Sequence, residues 1–426
     1  MLIAAMLHLR QLRKNQWLEP ERLREIQQEK LKRIVQHAYE NVRYYRKLFD
    51  SAGVRPEDID GPADLTKIPI TARSELQRQS LDQIVATGVD LERCRKLTTA
   101  GSSGAPLTVF LSQMDSRFYD MGWARASLEN GRRLWDRAAS FRSYRTPRFW
   151  FQGLGIWRKE TISILEDLTT KIARLRRIRP DIIQATTFEL VMLAKFIMAN
   201  RITGISPRLV LSRGTLLDPR SRETIRSAFG APVVDCYGAT ELGCIAWECS
   251  ERRGHHINVD ALVLEVVREG AAAAPGEAGK LVCTGLHSFA MPFIRYELGD
   301  IGALATEPCP CGRGLPLLKD LHGRADDFFV SSKGELISPQ VITSQLKSIP
   351  GISQFRIVQE NEHKINAEIV ADTFCSSSAA TALVQTMRRI MGEEVNVKVE
   401  LKDVISADRS GKIRSLVSKV RASLYA

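Results

Sequence analysis

One short stretch concentrates small hydroxyl and glycine residues: "LTTAGSSGAPLTVFLS", which begins at Leu97 and ends in an apolar, β-branched run. Glycine lets the backbone approach a ligand closely, and successive N–H and hydroxyl groups can point donors at phosphate oxygens. No Gly-Lys-Ser/Thr follows, so the stretch is not a Walker A loop. Its composition predicts either a phosphate-binding loop or a plain turn.

A second motif, "VVDCYGATELG", is an apolar strand that ends in an aromatic residue, a tight turn, a hydroxyl and a carboxylate. This order could form the floor of a nucleotide site, with the Glu241 carboxylate available to Mg²⁺. A helix N-cap formed by Thr240 is the alternative.

A third motif, "AMPFIRYELGDIG", places Arg295 and Asp300 on either side of a glycine. Asp300 could accept hydrogen bonds from two ribose hydroxyls. An ion pair between Arg295 and Asp300 fits the sequence equally well.

Cysteine and histidine residues are gathered in "WECSERRGHHIN" and "PCPCGRG". Three thiolates and one imidazole make a set suited to a tetrahedral structural Zn²⁺, and here they would come from Cys249, His256, Cys309 and Cys311. His255 competes with His256 for this role, and buried thiols without a metal are the alternative. Cys236, Cys244 and Cys283 lie in apolar runs, which predicts core positions.

The length and charge of the chain limit its possible domain organisation and binding partners. A chain of 426 residues is too long for one compact core and predicts a large and a smaller domain. The net charge of +12 suits an anionic ligand, a nucleic acid or a membrane surface, and a merely basic, soluble surface explains it equally well. There is no zinc-finger spacing and no aromatic and basic RNA-binding signature, so nucleic acid is not the favoured partner. No signal-peptide pattern and no run of about 18 apolar residues is present, so we expect a cytoplasmic protein without a transmembrane segment.

Periodicity predicts the elements that position these motifs. Apolar residues spaced at three and four predict a helix from Pro20 to about Ala52, broken near its end. Helices then alternate with short strands such as "RLVLS", "PVVDCYG" and "LVLEVV", which is typical of α/β layers. After "HGRADDF" the pattern changes to a small α+β domain. We therefore expect domains at residues 1–325 and 326–426.

Taken in order, the motifs resemble those of the adenylate-forming superfamily, and within it the phenylacetate–CoA ligase family, especially its capsule-biosynthesis, CapK-like branch. The resemblance covers nearly the whole chain, through "TTAGSSGAP", "YGATELG", "AMPFIRYELGDIG", "CPCGRGLPLL", "GRADDFFV" and "RSGKIRSLVSKV". It implies a large multilayer α/β domain followed by a small mobile α+β domain. It also implies that a carboxylate attacks the α-phosphate of ATP to give an acyl-adenylate, from which a thiol or amine displaces AMP.

The resemblance implies a role for each matching residue. The phosphate loop would comprise Thr98, Thr99, Gly101, Ser102, Ser103 and Gly104. The adenine, phosphate and Mg²⁺ segment would comprise Tyr237, Gly238, Thr240 and Glu241. Gly214 would form the adenine shelf, and the ribose would be bound by Asp300 and Arg324. Asp326 would be the hinge of the small domain, and Lys412 the adenylating lysine. Similar Cys and His elements in the family favour the zinc site.

The chain departs from many relatives in two places. Ser103 stands where many carry Thr, and Ala105 where many carry Lys, so a phosphate-binding charge is missing and ATP binding would be weaker at most. The glycine-rich aromatic stretch of phenylacetate-specific members is not evident, which argues against phenylacetate itself.

We therefore expect a ligase that uses ATP and Mg²⁺ to activate a carboxylic acid and transfers it to CoA. An acid–amine ligase of capsule or secondary-metabolite biosynthesis is the second hypothesis, and a non-catalytic nucleotide-binding scaffold is the third. Glu241, Asp300 and Lys412 argue against the scaffold, and Ala105 argues for it. The sequence leaves the acid and the oligomeric state open, with a homodimer among the options.

Overall fold

The computed structural model describes residues 2–99, 107–142, 150–324, 328–334, 336–337, 339–371, 376–405 and 415–420. The chain divides into two compact units, Met1–Leu298 with Gly302–Asp320 and Gly299–Ile301 with Leu321–Ala426. The boundary expected from the sequence falls within residues 325–327, which lie outside the described part.

Helices lead the first unit: α1 (Leu2–Asn15), α2 (Pro20–Asn41), α3 (Arg43–Ser51), α4 (Arg73–Arg78) and α5 (Leu81–Ile84). The predicted break in the entry helix is confirmed and lies at Val42, whose extended backbone (φ −121°, ψ 110°) separates α2 from α3. The apolar face of α2 is fully buried because Leu31, Ile34 and Val35 pack into one core cluster.

A hairpin and a long helix follow. Strands β1 (Arg95–Thr98) and β2 (Thr108–Leu111) pair antiparallel. Ser112 is the N-cap of helix α6 (Gln113–Glu129). Its side chain accepts a hydrogen bond from the backbone N–H of Asp115, and the Asp115 carboxylate accepts one from the backbone N–H of Ser112. This reciprocal capping box satisfies two donors that a helix start otherwise leaves unpaired.

A sheet of twelve strands dominates the described part of the chain, in the order β11-β10-β12-β13-β14-β9-β8-β7-β6-β5-β3-β4. Its strands and their helices are β3 (Ala138–Arg142), α7 (Trp150–Gly153), β4 (Lys159–Ser163), α8 (Leu168–Ile178), β5 (Ile182–Thr186), α9 (Thr187–Ala199), β6 (Leu209–Arg213), α10 (Pro219–Phe229), β7 (Val233–Ala239), β8 (Gly243–Glu248), β9 (His255–Ile257), β10 (Leu262–Arg268), β11 (Ala271–Ala272), β12 (Gly279–Gly285), β13 (Tyr296–Leu304) and β14 (Leu317–Arg324).

The half of the sheet formed by β3 to β7 is parallel. Helices α8, α9 and α10 cover one face of this half, where Phe141, Ile183 and Val210 belong to their core cluster. Residues of α6 cover the other face, where Ala126 packs with Ile182. Both faces are therefore buried, as expected for parallel strands joined by helices, and the predicted α/β layers are confirmed.

The second unit contains β15 (Phe329–Val330), β16 (Leu336–Ile337), α11 (Pro339–Lys347), β17 (Ile352–Asn361), β18 (Lys364–Ala371), α12 (Ser376–Met391), β19 (Asn396–Leu401) and β20 (Leu416–Ser418). Four strands form a sheet in the order β19-β18-β17-β20. The apolar stripe of α12, including Leu383 and Met387, packs with Ile357 and Ile365. The predicted α+β character of this region is confirmed.

A buried ion pair ties the helices of the first unit to the sheet. Both nitrogens of the Arg125 fork donate to the carboxylate of Asp260, at 2.9 and 2.8 Å, and both side chains are fully buried. Arg125 also donates to the carbonyl of Leu12 on α1, and Lys30 of α2 donates to the carbonyl of Asp260. Burial raises the pKa of Asp260, but the charge and hydrogen bonds of Arg125 outweigh it, so the pKa lies below its usual range.

No helix in the described ranges is both long and apolar enough to cross a membrane.

Replacing Arg125 with methionine should lower the free energy of unfolding by about 3–5 kcal/mol, because Asp260 would stay buried without its cation. Urea unfolding followed by tryptophan fluorescence measures the loss. The control is Arg24→Met, which removes an ion pair with Glu21 whose side chains are 69% and 71% exposed. That variant should lose less than about 1 kcal/mol. Equal small losses would show that the buried pair does not hold the helices in place.

Candidate active site

The glycine- and serine-rich stretch connects the two strands of the β1–β2 hairpin. The backbone N–H of Thr99 donates to the carbonyl of Leu107 at 3.0 Å, and the N–H of Leu107 donates to the Thr99 hydroxyl at 2.9 Å. Thr99 is buried, whereas Thr98, paired with Thr108, is exposed. Thr99 and Leu107 therefore extend the pairing of β1 and β2 by one residue on each strand. The predicted ligands Gly101, Ser102, Ser103 and Gly104 lie outside the described residues.

The second motif forms a second hairpin. Strand β7 ends at Ala239, a turn covers residues 240–242, and β8 returns antiparallel from Gly243. The alternative that Thr240 caps a helix is wrong, because the chain continues as a strand. The turn brings Thr240 and Glu241 to the carboxyl end of β7, the edge at which ligands bind in parallel sheets.

Two glycines let this hairpin lie directly against α6. A Cβ on Gly238 would stand 2.2 Å from the carbonyl oxygen of Gly243 and 2.8 Å from the ring of Trp123. Gly243 has φ +77°, a conformation that L side chains rarely adopt, and Tyr119 lies 3.0 Å from where its Cβ would stand. Only glycine fits at Gly238 without displacing its neighbours.

Glu241 is buried at the turn and bound by two polar partners. Its Oε1 accepts hydrogen bonds from the Tyr296 hydroxyl at 2.7 Å and from the Arg73 guanidinium at 2.6 Å. Arg73 also donates to the Tyr296 hydroxyl at 3.0 Å. Burial and the neighbouring Glu241 charge raise the pKa of Tyr296, which stays protonated. The side chains of Arg73 and Tyr296 hold the Glu241 carboxylate in one orientation.

Sequence reasoning missed both partners of Glu241. Tyr296 lies within the third motif, four residues before Asp300. Its hydroxyl, a hydrogen-bond donor within a candidate site motif, could have identified it as a partner for a carboxylate. Arg73 lies at the start of α4, 168 residues from Glu241, and no local pattern marks it.

The third motif gives Arg295 a partner that the sequence did not suggest. Its guanidinium lies 3.0 Å from the Glu265 carboxylate and donates to the carbonyl of Ile68 at 2.6 Å. Asp300 is half-buried in β13. Gly214, at the end of β6, has φ +79°, which glycine adopts without strain.

The remaining predicted residues belong to the end of the chain. Arg324 is the last residue of β14. Asp326 and Lys412 lie outside the described residues, so their roles stay predictions.

The four predicted metal ligands come together from three segments. Cys249 follows β8, His256 lies in β9, and Cys309 and Cys311 lie between β13 and β14; their ligand atoms all lie within 4.8 Å of one another. The sulfurs of Cys249 and Cys309 are 3.7 Å apart, and the Cys311 sulfur is 3.3 Å from Nε2 of His256. The four residues form a closed group of three sulfurs and one nitrogen.

The surroundings of His256 determine its tautomer and its charge. Its Nδ1 lies 3.3 Å from the carbonyl of Leu315, which only accepts, so the proton belongs on Nδ1 and the Nε2 lone pair faces the cysteines. Burial lowers the pKa of His256 to about 4, so the ring is neutral at pH 7. Burial also raises the pKa of Cys309 to about 12. It opposes ionisation of Cys311 as well, but hydrogen bonds from Arg313 outweigh it and lower the pKa of that thiol.

His255, the competing histidine, points elsewhere. Its Nε2 lies 3.1 Å from the Asp235 carboxylate in β7. Burial lowers the pKa of His255, but the hydrogen bond and charge of Asp235 outweigh it and leave the pKa above its usual value. The predicted core cysteines Cys236, Cys244 and Cys283 are buried, as expected.

The chain is similar in sequence to known proteins over most of its length. The chain is 30% identical over 338 residues to phenylacetate-coenzyme A ligase of Aromatoleum evansii, covering 75% of this chain and 74% of that protein. It is 28% identical over 360 residues to phenylacetate-coenzyme A ligase of Thermus thermophilus, covering 81% and 80% of the two chains. Residues 329–419 match the model of the CapK C-terminal domain.

Among solved structures, 2-hydroxyisobutyryl-CoA ligase in the postadenylation state, in complex with R3-HIB-AMP, gives a TM-score of 0.79 at 20% identity. The match covers 95% of this chain and 91% of that chain. This likeness confirms the predicted fold.

Replacing Gly238 with alanine should destabilise the protein by about 1–3 kcal/mol, because the added methyl group meets a backbone carbonyl as well as Trp123. Thermal unfolding and ATP binding by calorimetry measure the effect, and both should be impaired. Gly153→Ala is the control, since its Cβ would enter open space. The double variant Gly238→Ala/Trp123→Ala should recover only part of the loss. Full recovery would contradict the close approach of Gly238 to the Gly243 carbonyl.

Proposed function

The chain belongs to the phenylacetate–CoA ligase family, and from that premise we propose that it activates a carboxylic acid with ATP through an acyl-adenylate and transfers the acyl group to CoA. The observation that carries the proposal is the hairpin turn that presents Glu241, bound by Arg73 and Tyr296, at the carboxyl edge of the sheet. The relatives named as coenzyme A ligases support CoA as the acceptor.

We assign the phosphates of ATP to Thr99, to the glycine- and serine-rich stretch that follows it and to Thr240. In-line attack on the α-phosphate needs positioned reactants and positive charge near the phosphate oxygens. Glu241 would hold Mg²⁺, which supplies such charge, while its Oε1 accepts the hydrogen bonds from Arg73 and Tyr296. Tyr237 and Gly214 would border the adenine.

The other assignments concern the ribose and the small domain, which we propose to comprise residues 326–426 and to turn about Asp326. Asp300 and Arg324 would bind the ribose. Lys412 would place its ammonium at the α-phosphate during adenylation and leave it for acyl transfer. The match of residues 329–419 to a CapK C-terminal domain supports the extent of this domain.

We further propose that Cys249, His256, Cys309 and Cys311 bind a structural Zn²⁺. Two sulfurs each about 2.3 Å from a tetrahedral zinc lie about 3.8 Å from each other, and the sulfurs of Cys249 and Cys309 are 3.7 Å apart. The carbonyl of Leu315 fixes the tautomer of His256, which fits a ligating Nε2.

None of the seven described cysteines forms a disulfide bond, in accord with a reducing, cytoplasmic location.

The activity is tested by acid-dependent exchange of labelled pyrophosphate into ATP across a panel of aryl, fatty and sugar acids. Exchange with at least one acid, followed by CoA-dependent release of a thioester, is the expected result. A protein that binds ATP but exchanges with no acid would be a scaffold and not a ligase.

Lys412→Ala should slow acyl-adenylate formation on the order of a hundredfold, because it removes a cation from the developing phosphate charge. The variant should still convert chemically supplied acyl-adenylate to thioester. Lys419→Ala is the matched control, since Lys419 is exposed and paired with Glu360 at 2.6 Å. Both half-reactions of the control should be unchanged. Equal loss of both half-reactions in folded Lys412→Ala would contradict the rotation of the small domain.

Purified, reduced protein should contain about one zinc per chain, as expected for a four-ligand structural site. Cys309→Ser should release the metal and lower the melting temperature, because binding at such a site is coupled to folding. Elemental analysis and thermal unfolding measure the two effects. Cys94→Ser, outside the cluster, should change neither. Purified wild-type protein that contains no metal would show that the proposed zinc site is wrong.

A further inference from the structure

Two neighbouring loops of the first unit expose large apolar side chains. The first loop, residues 130–137, connects α6 to β3, and the second, residues 154–158, leads from α7 into β4. Strands β3 and β4 are paired in parallel at the end of the twelve-stranded sheet, so the two loops lie side by side at its amino edge. Leu134 and Trp135 are 50% and 61% exposed, and Leu154 is 64% exposed. Large apolar side chains grouped in this way mark a surface that contacts another molecule or a membrane.

Hydrogen bonds join the two loops into one surface. The carbonyl of Leu134 accepts a hydrogen bond from the backbone N–H of Trp157 at 2.6 Å, and the carbonyl of Trp135 accepts one from the Arg158 guanidinium at 3.0 Å. The buried guanidinium of Arg132 lies 3.7 Å from the centroid of the Trp157 ring and packs the loops together. The carbonyls beside the exposed side chains are therefore paired within the protein and do not depend on water.

The exposed charges of this surface are positive. Arg133 in the first loop and Arg158 in the second are both exposed. The two loops contain a single acidic residue, Asp136. Asp136 is buried, and each of its carboxylate oxygens accepts a hydrogen bond from Arg208 at 2.6 Å. Because the charge of Asp136 is neutralised inside the protein, the loops present cations beside apolar side chains.

Charge distinguishes between the possible occupants of this surface. In a twofold-symmetric dimer the surface would meet itself, so Arg133 and Arg158 would face arginines of the second copy, which is unfavourable. An anionic lipid surface complements both features, because its headgroups attract the arginines and its interface takes up leucine and tryptophan side chains. The paired carbonyls also suit this environment, since backbone polar groups without partners are costly away from water.

We propose that this surface attaches the protein to anionic phospholipid membranes. We call it the Trp135 surface and define it by Arg133, Leu134, Trp135, Leu154 and Arg158. It lies at the amino edge of the parallel strands, whereas the turn that carries Glu241 lies at the carboxyl end of β7. Attachment through the Trp135 surface therefore leaves the candidate active site at the edge of the sheet that does not contact lipid.

Sedimentation of the full chain with lipid vesicles tests the proposal. The probes are vesicles of phosphatidylcholine alone and of phosphatidylcholine mixed with phosphatidylglycerol. Wild-type protein should bind the mixed vesicles about tenfold more tightly than the neutral ones at low salt, because anionic headgroups attract the exposed arginines. Added salt should weaken the binding, since it screens exposed charges. Protein that binds neither kind of vesicle, or binds both equally, would overturn the proposal.

Matched variants then locate the binding surface. Leu154→Ser should weaken binding to the mixed vesicles about tenfold, because an apolar side chain is lost from the lipid interface, and Arg133→Gln about fivefold, because a cation is lost. Leu165→Ser is the apolar control, since Leu165 is 74% exposed beyond the other end of β4, and Arg220→Gln is the charge control, on the exposed side of α10. Both controls should bind like wild type. Equal binding by all four variants, or a loss in Arg133→Gln alone, would overturn the proposal.

Tryptophan fluorescence tests whether Trp135 itself contacts the lipid. Brominated lipid in the mixed vesicles should quench the fluorescence of wild-type protein. Trp135→Phe, which keeps an apolar ring, should still bind but lose most of this quenching, and quenching that it retains in full would contradict the proposal. Light scattering examines the alternative that two copies pair through the surface: a dimer that Trp135→Ser dissociates would overturn membrane attachment. None of these measurements depends on ligase activity, so the proposed function and the membrane surface can fail separately.

Discussion

The buried ion pair between Arg125 and Asp260 is the interaction on which the positions of the functional groups depend. Neither side chain reaches solvent, so each charge is stable only because the other is present. The pair also collects polar groups from neighbouring elements: Arg125 binds the carbonyl of Leu12 and the amide oxygen of Asn258, and Lys30 binds the carbonyl of Asp260. Helices α1, α2 and α6 are thereby fixed against the segment that connects β9 and β10.

Helix α6 transmits this constraint to the site. Its Tyr119 and Trp123 pack on the two glycines of the β7–β8 hairpin, at distances that leave no room for a side chain on Gly238. The hairpin presents Glu241 at one end, and at the other end β8 leads into Cys249. The proposed acid-activation site and the proposed zinc site therefore share one strand pair. Movement of β8 along β7 would displace both, so a metal bound at the proposed zinc site would also help to keep Glu241 in place.

The sequence predicted those features of the fold and site that depend on residues close together in the chain. Helical spacing predicted α2 and α3 and the break near their junction, and short apolar runs predicted strands such as β6, β7 and β10. The four candidate metal ligands were found because thiols and imidazoles are few and clustered. Contacts between distant segments could not be predicted in this way. Arg73 and Glu241 are in contact although they are 168 residues apart in the sequence. Arg295 and Glu265 lie in different segments, and neither segment alone shows that folding brings them together.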